Sequence, residues 1–186
     1  YEEYTQLQTL CLQILTDERI GFGANDQKVH GIIIDIAWLW EEYLNLLIKE
    51  HFYHPQNKVG TMPHYYFNNS NGKIYPDFIG KIPDNRVVAD AKYKPQNNIN
   101  NNDYSQILSY MFRFNCKQAY FLHPSKEEQH IILYLMEGVS AEATPTKNKD
   151  IKVEKIGLKI PEANGYEEFV DRIKKSEKQF LDRLNL

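Results

Sequence analysis

The sequence predicts an α/β fold in which a mixed central β-sheet is flanked by helices. Apolar residues recur with helical spacing near both ends of the chain, and short apolar runs bounded by turn residues fill the middle. In order, the elements read helix, helix, strand, strand, helix, strand, strand, strand, helix. A chain of 186 residues with 42% hydrophobic residues can bury one ordinary core, so we expect a single domain over residues 1–186.

The composition limits the compartment and the kinds of partner. With 22 basic and 25 acidic side chains the formal net charge is -3, so no global positive field indicates a nucleic-acid or membrane surface. The longest apolar run, residues 32–40, contains Asp35 and is too short to span a bilayer, which predicts a cytoplasmic protein without membrane contact. Cys11 and Cys116 have no nearby second cysteine and are expected to be reduced core residues. The chain begins without methionine inside a helical pattern, which suggests the C-terminal part of a longer protein.

The first half of the chain contains two helix candidates and two strand candidates. Apolar spacing predicts helices over residues 4–15 and 33–48, and residues 52–72 are expected to be irregular. Strands are predicted at residues 73–79 and 86–93. The buried face of the second helix is expected to hold Ile36, Trp40, Tyr43, Leu44 and Leu47.

The second half begins with a polar stretch and a third helix. Residues 95–103 have little apolar content and predict an exposed loop, with Asn102 or Asp103 as the helix cap. The helix is expected to end near Asn115. Its predicted core face holds Tyr104, Ile107, Leu108, Met111 and Phe112. The remaining elements are predicted strands at residues 118–123, 131–136 and 151–160 and a closing helix over residues 166–184.

Two acidic residues, Asp77 and Asp90, lie in the predicted strands, where a buried carboxylate is unfavourable. A type I turn over residues 82–85, with Pro83 at its second position, would join these strands into a hairpin. Facing residues of a regular hairpin have a constant index sum, and residues 77 and 90 have the same sum as 82 and 85. A ladder without a bulge would therefore place the two aspartates directly opposite each other, about 4.5–5.5 Å apart.

The same geometry gathers a lysine beside the two acids. Strand alternation brings Lys92 to the face of Asp90, while Ala89 and Ala91 point to the other face. Facing carboxylates raise each other's pKa unless a cation lies between them, and two oxygen ligands with open positions suit Mg²⁺, which keeps several waters. The residues therefore predict a divalent-metal site. The alternative is that Asp77 follows a strand-edge proline and that Asp90 and Lys92 form a surface ion pair.

The segments around these residues resemble a known family. PD at residues 76–77 followed by DAK at residues 90–92 resembles the PD-(D/E)XK nuclease motif. The stretches DIAWLWEEYL from residue 35, YPDFIG from 75, VADAKYKP from 88 and DYSQILSYMFRF from 103 are similar to the nuclease region of McrC, the cleavage subunit of 5-methylcytosine restriction systems. The resemblance covers roughly residues 30–125.

This resemblance implies a restriction-endonuclease-like fold and hydrolysis of DNA phosphodiester bonds that depends on Mg²⁺, with Mn²⁺ as a substitute. It also implies an AAA+ GTPase partner of the McrB type, contacted through a region upstream of this chain. The sequence contains no G-x-x-x-x-G-K-[ST], so a P-loop for GTP hydrolysis would belong to that partner. A stand-alone nuclease of the same fold and an inactive scaffold subunit remain open alternatives.

By analogy with the motif, Asp77, Asp90 and the backbone carbonyl of Ala91 would bind the metal. Lys92 would orient the attacking water or stabilise charge in the transition state. The motif also requires a glutamate on the preceding helix. Glu41 borders the buried side of that helix, so it is the preferred catalytic residue and metal ligand.

Its neighbour Glu42 is expected to lie on the polar face of the helix and to be solvated. His51 and His54 have no further ligands at suitable spacing, so no zinc site is expected there.

A second stripe of side chains on the third helix also fits the resemblance. Gln106 and Tyr110 resemble the Q-x-x-x-Y element of RecB-like nucleases, which would position a phosphate or the site lysine, and Gln106 is therefore counted with the catalytic residues. Tyr110, Arg113 and Lys94 are expected to contact DNA, with Lys73 as a further phosphate contact. The alternative for this stripe is a polar surface exposed to solvent.

Overall fold

The structure, a computed structural model, describes residues 35–55, 62–138 and 146–184. The chain divides into two units, Tyr1–Asp35 and Ile36–Leu186, and all elements below belong to the second. The helix predicted over residues 4–15, together with Cys11, lies outside the described residues. The expectation of one domain over the whole chain therefore stays a prediction.

The described residues form three α-helices, eight strands and one short 3₁₀ turn. The helices are α1 (Ile36–Ile48), α2 (Asn101–Phe114) and α3 (Tyr166–Arg183), and the 3₁₀ turn is Gln96–Asn98. The strands are β1 (Phe52–Tyr53), β2 (His64–Tyr65), β3 (Lys73–Ile74), β4 (Phe78–Gly80), β5 (Val87–Ala91), β6 (Gln118–Ser125), β7 (Gln129–Glu137) and β8 (Thr146–Lys159).

Six of these strands form one mixed sheet in the order β1-β4-β5-β6-β8-β7. The β5–β6 and β6–β8 pairs are parallel. The β1–β4, β4–β5 and β7–β8 pairs are antiparallel. A parallel pair needs a crossover connection, and α2 provides it between β5 and β6. Strands β2 and β3 form a separate two-stranded sheet. The predicted α/β fold with a mixed sheet flanked by helices is confirmed.

Helices cover both faces of the sheet. On one face, α1 and α3 pack over the strands, with a core of Trp40, Leu44, Ile48, Ala89, Leu122, Ile156 and Phe180. On the other face, α2 packs over a core of Val88, Ile107, Met111, Ala119, Phe121 and Val153. Alternate residues of β5 therefore face different helices, so Ala89 lies under α1 and Asp90 lies on the α2 side.

The predicted strand over residues 73–79 is wrong, because the chain is interrupted in its middle. Residues 73–74 pair with β2, and β4 begins only at Phe78. Pro76 has no N–H to donate to a ladder, which accounts for the break immediately before Asp77. The region predicted to be irregular, residues 52–72, also contributes the short strands β1 and β2.

The prediction for α2 located the helix but misplaced its start and its buried face. Asn100 is the N-cap instead of Asn102 or Asp103, and Ile99 in the supposed loop is only 5% exposed. Phe112, predicted to be in the core, is 91% exposed, whereas Tyr110, predicted to be on the outer stripe, is 3% exposed. The buried face is thus rotated, because Tyr110 finds hydrogen-bond partners in the interior that its hydroxyl requires.

The other elements agree with the predictions within about three residues, except that β8 begins at Thr146, five residues before the predicted start. In α1, Ile48 is buried while Ile36 is 46% exposed, which shifts the expected core face towards the end of the helix. Cys116 is a free, buried cysteine, and burial raises the pKa of its thiol to about 11. No helix in the described part of the chain is long and apolar enough to cross a membrane.

Candidate active site

The β4–β5 hairpin has the predicted register. Phe78 lies opposite Ala89 and Ile79 lies opposite Val88, which have the index sum inferred from the turn. The ladder ends at the Phe78 and Ala89 pair, and the next position would hold Asp77 and Asp90. Beyond the ladder, the Asp77 side chain takes over and hydrogen-bonds to the backbone of β5.

Asp77 is half-buried, and its Oδ2 accepts a hydrogen bond from the Ala91 amide at 2.8 Å. The proline break therefore leaves a carboxylate in the place of a backbone acceptor.

Burial raises the pKa values of both aspartates, and nearby carboxylates raise them further. For Asp77, loss of solvent is the largest cause, and the charges of Asp90 and Glu41 raise its pKa further, well above its ordinary value. The Ala91 amide and the Lys92 ammonium lower this pKa only in part. Asp90 is 2% exposed, and burial also raises its pKa, although Lys92 opposes the change. The hairpin thus gathers carboxyl groups that would carry uncompensated charge if all were ionised.

Lys92 is the cation beside these acids. Its Nζ lies 2.6 Å from Asp90 Oδ2 and 3.4 Å from Asp103 Oδ1, and it donates to Gln106 Oε1 at 3.2 Å. Burial would lower the pKa of this ammonium, but the carboxylates of Asp90, Asp77 and Asp103 raise it above its ordinary value. Lys92 therefore stays protonated at neutral pH and supplies positive charge and donors instead of accepting a proton. Its side chain is 16% exposed, so the alternative of a simple surface ion pair with Asp90 does not describe this contact.

The glutamates of α1 reach the same centre from the other side of the hairpin. The Glu41 side chain is 20% exposed and the Glu42 side chain 36% exposed, in the order predicted from the helical phase. Glu41 lies close enough to Asp77 to raise its pKa. Glu42 is not simply solvated, because its carboxylate lies 3.3 Å from His54 Nε2.

His54 also belongs to this centre, although the sequence analysis weighed it only as a zinc ligand and expected no zinc site there. Its Nδ1 lies 3.0 Å from the Asp77 carbonyl, which can only accept, so Nδ1 carries a hydrogen. Its Nε2 lies 3.7 Å from Glu41, in addition to the Glu42 contact, and the side chain is 6% exposed. The ring packs against Phe78 with centroids 5.2 Å apart. His54 therefore connects the glutamates of α1 to the backbone of Asp77.

The two glutamates are expected to differ when each is changed to glutamine. Glu41→Gln should weaken metal binding and lower cleavage about tenfold or more, because it removes a carboxylate beside Asp77. Glu42→Gln should leave cleavage close to wild type, since a glutamine side chain, which can both donate and accept, can still hydrogen-bond to His54 Nε2. Cleavage rates measured against Mg²⁺ concentration check this, and equal losses in the two variants would contradict the assignment to Glu41.

The Gln106 and Tyr110 pair lies on the α2 side of the centre. Gln106 Nε2 donates to Tyr110 Oη at 3.0 Å while its Oε1 accepts from Lys92. The backbone of Tyr75 also hydrogen-bonds to Tyr110, and burial raises the pKa of this phenol to about 12. Tyr110 is therefore buried between Gln106 and the residue before Pro76, where it holds the two parts of the site together. The expectation of a DNA contact by this side chain is not supported by its 3% exposure.

The other expected DNA contacts remain near the surface. Arg113 is exposed, and its Nε donates to the Tyr65 carbonyl, which ties α2 to the small β2–β3 sheet. Lys94 Nζ donates to Asp103 at 2.6 Å with a side chain that is 28% exposed. Lys73 lies over the Tyr75 ring, with its Nζ 5.1 Å from the centroid. Each of these cations already has a partner in the fold.

The donor set fits a hard divalent cation. Apart from its ion pair with Lys92, the buried Asp90 Oδ2 has no hydrogen-bond partner among the described residues. The available donors are carboxylate and carbonyl oxygens, which Mg²⁺ and Mn²⁺ prefer. Within the described residues, no cluster of three or more His, Cys, Asp or Glu side chains could hold one metal ion. A site with Asp77, Asp90 and the Ala91 carbonyl would therefore rely on water ligands, as Mg²⁺ commonly does.

Fold and site together define a class of protein. A mixed sheet flanked by helices, with two acids and a lysine gathered on one hairpin, is compatible with a restriction-endonuclease-like domain. The family model for the McrBC 5-methylcytosine restriction system component matches residues 1–124. Since this match covers about two thirds of the 186 residues, the chain belongs to that family and is a restriction system component. No curated protein gives a significant match to the sequence.

Proposed function

We propose that this chain is the Mg²⁺-dependent DNA endonuclease subunit of a GTP-dependent, modification-dependent restriction system, working with an AAA+ GTPase of the McrB type. The observation that carries the proposal is the hairpin geometry. The Asp77 carboxylate accepts from the Ala91 amide at 2.8 Å, and Asp90 lies 2.6 Å from Lys92. Three consecutive residues at the end of β5, numbers 90–92, thus supply these contacts. Membership of a restriction system family supports the same activity.

Each residue has a role that follows from its contacts. Asp77 and Asp90, with the Ala91 carbonyl, would hold Mg²⁺ or Mn²⁺ directly, and Glu41 would join them through a water ligand of the ion. The bound ion would lower the pKa of a water molecule and offset charge on the scissile phosphate. Lys92, kept protonated by its carboxylate neighbours, would donate to a phosphate oxygen as negative charge develops there.

The positioning residues are as important as the acids. The Ala91 amide fixes the orientation of the Asp77 carboxylate, and Gln106 holds Lys92 from α2. Because the site is assembled from a hairpin and two helices, a small shift of either helix would misplace the reacting groups, and a misplacement of about 1 Å can reduce a rate about a hundredfold.

Cleavage of plasmid DNA by the chain with its partner tests this function. Activity is expected with Mg²⁺ or Mn²⁺ and not with EDTA or Ca²⁺. Lys92→Met should lower cleavage about a hundredfold or more, because one preorganised charge is lost from the transition state. Lys174→Met is the control, since it removes an exposed lysine from α3, which packs on the other face of the sheet, and it should leave the maximal rate unchanged. Full activity of Lys92→Met, or cleavage in EDTA, would contradict the proposal.

A further inference from the structure

We propose that Asp103 is a positioning residue for Lys92, so that the carboxylate that begins helix α2 also sets the position of the site ammonium. The role in turnover rests on the proposed nuclease function, whereas the position of the ammonium does not. The sequence indicated Asp103 only as a helix cap.

The two oxygens of Asp103 have different partners. Oδ2 accepts from the Asn100 amide at 2.8 Å and from Lys94 Nζ at 2.6 Å. Asn100 in turn caps the helix by accepting from the Asn102 amide at 3.0 Å, which completes a reciprocal capping box. These bonds orient the carboxylate, which is 8% exposed, and leave Oδ1 facing Lys92 Nζ at 3.4 Å.

The surroundings of Lys92 show why this contact matters. An ammonium has three N–H donors, and Lys92 has three acceptors within reach: Asp90, Asp103 and Gln106. Asp90 is also a proposed metal ligand, so its oxygen serves two demands. Asp103 and Gln106 both lie on α2, and neither is a proposed metal ligand. Lys92 can therefore keep its place relative to α2 when Asp90 is otherwise engaged.

The network also places Lys94 in a defined role. Burial acts to raise the pKa of Asp103, but Lys94, the Asn100 amide and Lys92 lower it below its ordinary value, so the carboxylate remains ionised. Lys94 thus stabilises the charged form of the group that holds Lys92. The Asp103 carboxylate therefore contacts both ends of the segment between β5 and α2: Lys92 and Lys94 at its start and the Asn100 amide at its end.

Two substitutions of Asp103 separate charge from capping. Glutamate and glutamine are both favourable at this third helical position, so Asp103→Glu and Asp103→Gln should both keep the helix start. Asp103→Gln is expected to lower kcat about tenfold with an unchanged KM for DNA, and Asp103→Glu to retain most of the rate. Asn100→Ala is the control for the cap, because it removes the capping side chain while leaving the Asp103 carboxylate, and it should lower Tm without lowering kcat.

A second readout does not depend on nuclease activity. In protein labelled with ¹⁵N-lysine, the ammonium signal of Lys92, assigned by its loss in Lys92→Met, should be protected from exchange in wild type, Asp103→Glu and Asn100→Ala. It should lose that protection in Asp103→Gln. Wild-type protection or wild-type kcat in Asp103→Gln would overturn the inference, as would equal losses in Asp103→Gln and Asn100→Ala. Inactivity of every protein, with the NMR pattern as expected, would instead count against the proposed nuclease function alone.

Discussion

Replacing Asp77 with asparagine is expected to abolish cleavage and, in the absence of divalent metal, to make the protein more stable. The loss of cleavage follows from removal of a proposed metal ligand. The gain in stability follows from removal of a carboxyl group whose pKa is raised by burial and by the charges of Asp90 and Glu41. Asparagine has nearly the same shape and can still accept from the Ala91 amide.

The direction of this effect depends on pH. In the unfolded chain the carboxyl group has its ordinary pKa of 3.8, and in the folded protein the pKa is higher. Between these two values the folded state binds a proton that the unfolded state has lost, so wild-type stability falls as pH rises through that window. Asp77→Asn lacks this loss. We therefore expect the variant to be more stable than the wild type at pH values above the folded pKa, and to differ little from it near pH ~4.

Thermal unfolding in EDTA at several pH values measures this gain, which should raise Tm by roughly 2–4 °C per kcal/mol. Adding Mg²⁺ should stabilise the wild type and not the variant, because only the wild type binds the ion in its folded state. Asp84→Asn, at an exposed position of the hairpin turn, is the matched control and should change neither activity nor stability. A variant that cleaves DNA normally, or that is less stable than wild type in EDTA at neutral pH, would show that Asp77 does not have this role.

The second large effect is expected from the GTPase partner. The chain has a net charge of -3, and the cations near the site are already engaged, Lys92 and Lys94 by aspartates and Arg113 by a carbonyl. Neutralised phosphates supply most non-specific affinity for DNA, so the isolated chain should bind a short duplex weakly and lose that binding steeply with salt. We therefore expect the partner and GTP together to raise cleavage greatly, because the partner would deliver and hold the DNA.

Duplex binding measured against salt, with Ca²⁺ as a non-catalytic metal, tests the first part of this expectation. Plasmid cleavage with and without partner and GTP tests the second, and a GTP analogue that cannot be hydrolysed serves as the control. Sub-micromolar affinity of the isolated chain at physiological salt, or rapid cleavage without GTP, would favour a stand-alone nuclease.

The centre of the candidate site could be predicted because it depends on local geometry. A proline-containing turn fixes the register of a two-stranded hairpin, so the index sum alone places Asp77 and Asp90 opposite each other. Alternation along β5 then assigns Asp90 to one face and Ala89 to the other. Neither inference needs knowledge of distant residues. The observed pairing of Phe78 with Ala89 confirms the register, and the packing of Ala89 and Val88 in different cores confirms the alternation.

The parts that sequence reasoning missed depend on contacts between distant residues. In α2, Leu108 and Phe112 are as apolar as the residues that pack, and periodicity could not choose between them. The choice follows from the hydroxyl of Tyr110, whose partners include the backbone of Tyr75 in another element. His54 was missed because its partners lie in α1 and in the backbone of Asp77, and a single histidine in the sequence does not indicate contacts with either.

The hairpin that brings the two aspartates together is one of the two most local strand pairings of the six-stranded sheet among the described residues, which affects how the chain folds. Closing a short loop costs little entropy, whereas pairing β5 with β6 requires the whole α2 crossover to form first. The repelling acids therefore meet early, before α2 brings Asp103 and Gln106 to the lysine beside them. Part of the stabilisation expected for Asp77→Asn should accordingly appear as faster refolding in EDTA, and not only as slower unfolding. Repulsion between the acids of the proposed active site would then slow folding, while the same acids would bind the metal in the folded protein.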